Sequence, residues 1–176
     1  MLILRDRTQR FQSKAYLEYD AYFENMNKKE DFKLADILLP YQRKFISSPQ
    51  RKKIWISSRQ IGKSFSIAFL MTMKVLQKDG TLGLCVSTGS RAASELLKKC
   101  KQMAEAVKVI TNGKITYECN AESITFNNGS RILSLPSNPD GIRGYTARIV
   151  CIDEAAFVPF VDEIYQAIAP TLTRDK

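Results

Sequence analysis

Histidine is absent from the 176 residues, and the four cysteines, Cys85, Cys100, Cys119 and Cys151, include no C-x-x-C pair. A zinc site needs clustered thiolate or imidazole ligands, and a disulfide scaffold needs cysteines dense in a short secreted chain, so neither is indicated. The thiols read as reduced, in a cytosolic protein. Long apolar runs are missing as well. Met1-Leu2-Ile3-Leu4 is broken at once by Arg5-Asp6-Arg7, too short for a secretory signal, and no later segment reaches membrane-spanning length. Internal repeats and low-complexity tracts do not occur. Acid is the scarcer charge: 18 Asp and Glu against 27 Lys and Arg leave a net +9, which suits a partner carrying phosphates, such as nucleic acid or nucleotide. The clusters Arg51-Lys52-Lys53 and Lys98-Lys99 with Lys101 read first as solvated faces.

What remains is a chain that is 44% hydrophobic, enough to bury a core for one domain or part of one. Its organising stretch is Ile54-Trp55-Ile56-Ser57-Ser58-Arg59-Gln60-Ile61-Gly62-Lys63-Ser64, followed by the apolar-rich run Phe65 to Leu76. A β-branched and aromatic segment, a loop ending Gly-Lys-Ser and apolar residues at helical spacing predict strand, loop and helix, the setting of a phosphate-binding P-loop. Backbone N–H groups of such a loop converge on one concavity, and the helix N-terminus adds partial positive charge. Residues 57–65 (Ser57, Ser58, Arg59, Gln60, Ile61, Gly62, Lys63, Ser64 and Phe65) are therefore the expected nucleotide contacts. Lys63 would reach the β- and γ-phosphates of ATP, and Ser64 would ligate Mg²⁺. Ser57 stands where the usual G-x-x-x-x-G-K-[ST] pattern has its first glycine.

Upstream, Phe11, Ala15, Leu17, Tyr19, Tyr22, Phe23 and Met26 lie roughly at helical spacing, and residues 1–31 are expected to form an N-terminal helical appendage to a domain spanning 32–176. Leu38-Leu39-Pro40-Tyr41-Gln42 then opens a short helix, with proline at its first turn. A glutamine amide can pair with an adenine edge and a tyrosine ring can stack on the base; Gln42 as an exposed helix residue and Tyr41 as core fit the spacing equally well. Downstream, Thr81 to Ser87 predicts a buried strand, Ser87-Thr88-Gly89-Ser90 a cap, and Arg91 to about Val107 an amphipathic helix. Residues 115–119, 123–126 and 131–135 are β-rich, and Asn127-Asn128-Gly129-Ser130 predicts an antiparallel hairpin within or beside an otherwise parallel sheet. Ser137 to Gly141 reads as a loop carrying Arg143-Gly144, and Val161 to Ile168 as a helix.

The second motif is the strand Arg148 to Ile152, which delivers Asp153-Glu154 at its end. Opposite a P-loop, the first carboxylate can hold hydrated Mg²⁺ and the second can polarise the attacking water, so Asp153 is assigned to metal and Glu154 to water. The fold class expected is α/β, a P-loop NTPase of the additional-strand, catalytic-glutamate class that includes RecA-like motors, helicases and packaging ATPases. In that class the strand between the P-loop strand and the Asp-Glu strand comes later in sequence, whereas only residues 159–176 follow here. A fragment of a larger motor is the expectation, or else a sheet closed in another way.

Together these residues resemble the ATPase domain of the large terminase subunit of tailed bacteriophages, over roughly Leu38 to Ala169. The resemblance rests on Leu-Pro-Tyr-Gln at 39–42, Ser-Ser-Arg-Gln-Ile-Gly-Lys-Ser at 57–64, Phe-Asn-Asn-Gly-Ser at 126–130, Gly-Ile-Arg-Gly at 141–144 and Ile-Asp-Glu-Ala-Ala at 152–156. It implies that Gln42 and Tyr41 recognise adenine, that Arg59 lies over the phosphates, and that Arg143 is presented to a neighbouring subunit's γ-phosphate. It also implies ATP hydrolysis driving double-stranded DNA into procapsids in the bacterial cytoplasm, by a ring of subunits on the portal protein, working with the small terminase subunit and away from membranes. The family's coupling motif and RNase H-like nuclease domain have no counterpart in these residues, so no nuclease activity is expected of them. A helicase-like or remodelling ATPase, and a nucleotide-binding assembly module without turnover, are the competing readings.

Overall fold

The computed structural model describes residues 2–5, 37–58 and 60–172. Seven strands form one mixed sheet: β1 (Leu2–Arg5), β2 (Lys52–Ile54), β3 (Leu82–Ser87), β4 (Tyr117–Cys119), β5 (Ser123–Phe126), β6 (Arg131–Pro136) and β7 (Ile149–Ile152). Their spatial order is β2-β1-β7-β3-β6-β5-β4. Among the described residues five α-helices accompany them: α1 (Pro40–Ser47), α2 (Lys63–Leu76), α3 (Ser90–Ile110), α4 (Pro139–Arg143) and α5 (Val161–Thr171).

β3 and β7 are runs of apolar residues because both of their faces are covered, as expected for parallel strands at the centre of an α/β sheet. Side chains alternate across them. Cys85, Ile149 and Cys151 join Ile67, Met71, Leu96 and Cys100 under α2 and α3, whereas Leu84, Val86, Val150 and Ile152 join Ile142, Ile164 and Ile168 under α4 and α5. Burial and, for Cys100 first of all, a hydrogen bond with Cys85 push the Cys100 and Cys151 thiols well above their ordinary range, so they stay protonated and act as core. Gly83 lets α2 lie close on β3: a Cβ there would meet Met71 Cε and Val75 Cγ1 at 3.0 Å.

The hairpin forms where the Asn-Gly signal puts it. β5 and β6 pair antiparallel, Gly129 takes a φ of +77°, and its N–H donates to the Phe126 carbonyl at 2.9 Å. β4 adds beyond β5, so the antiparallel strands extend one edge of the sheet.

Two local expectations are corrected. The strand before the Gly-Lys-Ser loop sits two residues earlier than the apolar pattern suggests: Lys53 is its buried residue, while Ile54 and Ile56 are 68% and 91% exposed. The reason is polar, because Lys53 Nζ donates to the carbonyls of Phe45 (2.6 Å) and Ile46 (2.9 Å) in the last turn of α1 and lies over the Phe45 ring. Residues 137–144 are not all loop. Asn138 Oδ1 accepts from Asp140 N–H at 3.1 Å and Pro139 occupies the first turn, and together they start α4. At α3 the N-cap falls within the expected segment 87–90, on Gly89, and makes no side-chain cap bond.

The largest difference is at the N-terminus. Residues 2–5 belong to the central sheet rather than to a helical appendage; the rest of that expected appendage, residues 6–31, lies outside the described residues. β1 pairs antiparallel with both β2 and β7, and fills the position between them. Among the described residues, β1 thus stands where the additional-strand class has a strand that comes later in sequence.

Candidate functional site

β2 and β7 are each antiparallel to β1, and are therefore parallel to each other. Leu2 is the register partner of both Ile54 and Ile152, the last residues of the two strands. Both chains leave the sheet at one edge and at one level, about 10 Å apart across the intervening strand. The loop 55–62 departs from one exit and Asp153-Glu154 from the other.

In the loop, Gln60 (φ +62°) and Gly62 (φ +79°) are left-handed, and Gly62 is the N-cap of α2. The Gly62 carbonyl accepts from both the N–H and the Oγ of Ser66, each at 3.0 Å. The first turn of α2 carries no acidic residue, and no described side chain caps it, so its N–H groups present positive potential without a carboxylate of its own. Lys63 Nζ folds back to donate to the Ser57 carbonyl at 3.0 Å, which places the cation across the mouth of the loop. Ser64 and Phe65 follow it, half-buried, while Ser58 is exposed and Ser57 half-buried. Arg59 lies outside the described residues.

α1 holds the loop from the side. Tyr41 OH donates to the Ile61 carbonyl at 2.8 Å, and Gln42 Nε2 donates to the carbonyls of Ile61 (3.2 Å) and Gly62 (3.4 Å). Gln42 Oε1 meanwhile accepts from Leu39 N–H at 2.9 Å. Trp55 packs against Phe45, with ring centroids 4.4 Å apart.

At the other exit Asp153 N–H donates to the Val86 carbonyl at 2.9 Å, continuing the pairing of β7 with β3 by one residue. Asp153 Oδ1 then accepts from Glu154 N–H at 2.9 Å. Glu154 is exposed and takes a left-handed φ of +49°, a conformation costing about 1–3 kcal/mol for a residue with a Cβ. Residues 155–157 form a 3₁₀ turn, and Phe160 is left-handed as well. Among the described residues, three of the four positive-φ non-glycine residues, Gln60, Glu154 and Phe160, thus fall in segments following the two strand exits.

Among the described residues no group of three or more His, Cys, Asp or Glu side chains is placed to hold a metal by itself. The Ser64 hydroxyl and the Asp153 carboxylate are hard oxygen donors, one from each exit. Such a pair suits Mg²⁺, which keeps waters and shares phosphate oxygens rather than sitting in an all-protein cage.

Arg143 is apart from this group. It ends α4, which follows β6, four strand intervals from β2 or roughly 19 Å, and α4 packs on the face of the sheet opposite α2. Its Nη1 pairs with Asp140 Oδ1 at 2.9 Å, and the two side chains are 63% and 83% exposed. Two contributors were not singled out by the sequence: Ser66, whose back-bond to Gly62 ties the loop to α2, and Lys53. A serine four residues after the loop glycine is a usable signal for the first; a lysine in a three-residue strand gives none for the second.

With the geometry in view, comparison with known proteins gives two findings. The family model for the N-terminal region of the large terminase subunit, T4-like-virus type, matches residues 54–176. The Mu-like prophage FluMu protein gp28 of Haemophilus influenzae is similar, 28% identical over 142 residues that cover 74% of this chain and 28% of the relative. The chain spans little more than a quarter of that relative's length. No helix among the described residues is long and apolar enough to cross a membrane.

Proposed function

Since the chain belongs to the T4-like-virus-type large terminase subunit family, of which it matches the N-terminal region, we propose that it is the ATPase domain of a DNA-packaging motor, built on a P-loop fold of the RecA-like class. The observation that carries this reading is the shared level of Ile54 and Ile152 on either side of Leu2, which directs a Gly-Lys-Ser loop and an Asp-Glu pair to one edge.

In this reading ATP is the substrate, and its phosphates take the N–H groups of residues 60–64. Lys63 exchanges the Ser57 carbonyl for phosphate oxygens, a move that needs only side-chain rotation. Mg²⁺, when bound through Ser64 and Asp153, supplies neutralisation of charge on the β- and γ-phosphates. Glu154, on a strained turn and open to solvent, orients the water, and Arg59 contributes a further guanidinium over the phosphates. Arg143 belongs to a helix on the face of the sheet opposite α2 and, exposed in its pair with Asp140, can turn to a neighbour's loop, where a planar, permanently charged fork suits two equatorial oxygens. The partners proposed are double-stranded DNA, further copies in a ring, the portal protein and the small terminase subunit, in the bacterial cytoplasm.

A nucleotide-binding assembly module without turnover is the second reading. It is favoured by the slight anchoring of β2, three residues paired to the four of β1. Phosphate release by the purified chain decides. Turnover that falls by about 10²–10³ in Glu154→Gln, with ATP still bound, and binding that is lost in Lys63→Ala, are expected. Full activity in Lys63→Ala would refute the assignment, and binding without turnover in the wild-type chain would favour the module.

A further inference from the structure

We infer that Gln42 and Tyr41 are positioning residues that lock the phosphate-binding loop onto α1, and that Gln42 does not read the nucleotide base.

The assignment starts from the hydrogen-bonding capacity of one carboxamide. Gln42 is 4% exposed. Its oxygen accepts from Leu39 N–H, and its two amide hydrogens face two carbonyl oxygens, those of Ile61 and Gly62. Turning the amide over would set NH₂ against the Leu39 N–H and oxygen against two carbonyls, so the surroundings fix the orientation. An adenine edge needs one donor and one acceptor from the same amide. Both amide hydrogens are already donated to the loop, and the side chain is buried between α1 and the loop, so no donor is left for a base.

The bonds are also where a loop lock has to be. Ile61 and Gly62 immediately precede Lys63; the Gly62 carbonyl is already tied to α2 by Ser66, and the Ile61 carbonyl receives its bonds from Tyr41 and Gln42 of α1. Tyr41 adds a third bond from α1 to the same two residues. The fit is close: a Cβ on Gly62 would lie 2.5 Å from Gln42 Nε2 and push the amide out of its bonds, while the φ of +79° itself favours glycine there. On the other side, the Leu39 bond ties the same amide to the start of α1. A shift of α1 therefore has to move the loop with it or break all these bonds.

This inference rests on the proposal that the loop binds nucleotide, and two independent measurements separate the two claims. In the first, amide hydrogen exchange at residues 61–65 is followed in the nucleotide-free protein. Gln42→Glu puts an anionic oxygen against two carbonyls and is expected to speed exchange by roughly tenfold or more, and Tyr41→Phe by roughly three- to tenfold. Tyr41 is 43% exposed, so its loss of one hydroxyl leaves the fold intact if Gln42→Glu does not fold. In the second, ATP and GTP affinities are compared. A loop lock predicts that Gln42→Glu weakens both by the same factor, to within about twofold, whereas a base reader loses ATP selectively by tenfold or more. Unchanged exchange in the variants, or loss of ATP binding with GTP binding kept, would overturn the inference. If the wild-type chain binds neither nucleotide, the functional proposal fails, and the exchange measurement still decides the lock.

Discussion

The two flanks of the sheet are held by different forces. On one, β3, β6 and β5 bury Leu84, Ile132, Ile124 and Phe126, and the hairpin turn is bonded to the turn between α2 and β3: Gly80 N–H to the Asn128 carbonyl, Arg131 N–H to the Thr81 carbonyl, Ser130 Oγ to the Lys78 carbonyl. On the other, β2 has three residues, its isoleucine faces solvent, and it is secured by polar groups. Lys53 reaches the end of α1, Lys52 meets the Tyr165 hydroxyl of α5, and Gln42 and Tyr41 hold the loop. Apolar burial is non-directional and cooperative, so the first flank opens only with the whole domain. A few hydrogen bonds can open and reform singly. The residues proposed to bind phosphate lie on the flank that can rearrange without melting the core.

The sharpest way to break this contrast is to hollow out the well-packed flank. Ile132→Ala, at a fully buried position between β6 and α3, is expected to cost about 2–5 kcal/mol. The loss should appear as one cooperative shift of the melting transition, with exchange accelerated on both flanks. Acceleration confined to the hairpin would show that the core does not unite them.

Next in size is Lys53→Met, which keeps the stem and removes the donor. Leaving the carbonyls of Phe45 and Ile46 without it is expected to cost about 1–3 kcal/mol. Exchange should rise in α1 and the loop 55–62, and stay as it was in β3, β5 and β6. A global effect equal to that of Ile132→Ala would abolish the distinction drawn between the flanks.

The same contrast explains how much could be read from the sequence. Where burial decides, the pattern is legible: the apolar runs of β3 and β7, the amphipathic spacing of α3, and Asn128-Gly129 at the hairpin all anticipate what forms. Gly62-Lys63-Ser64 and Asp153-Glu154 were legible because a loop between strand and helix, and a strand ending in acids, are local features. Where long polar side chains decide, little is visible. Lys53 looks like one of three solvated bases, and becomes buried because two carbonyls from another helix happen to lie within reach. Gln42 carries the right chemistry for a base reader; only its surroundings show that both its amide hydrogens are turned inward to the loop. β1 was missed for a different reason. Four residues carry almost no periodicity, and their pairing with Lys52–Ile54 and Ile149–Ile152 spans most of the chain. Asn138 was a visible cap signal in a segment read as turn.

The smallest effect is expected at Arg143. Its partner Asp140 is 83% exposed, and an ion pair that open to water contributes at most about 1 kcal/mol, commonly much less. Asp140→Asn should therefore leave the melting temperature almost unchanged and affect neither flank. What it changes is the availability of the guanidinium. If Arg143 serves a neighbouring subunit, freeing it should leave the isolated chain's nucleotide affinity untouched, while an assembled ring of Arg143→Ala chains, inactive alone, regains turnover on mixing with Glu154→Gln chains. At some interfaces of such a mixture an intact Glu154 faces an intact Arg143, which neither variant provides by itself. No recovery in an assembled ring would reduce Arg143 to a surface ion pair. The nucleotide chemistry would then belong wholly to the β2–β7 side of the sheet.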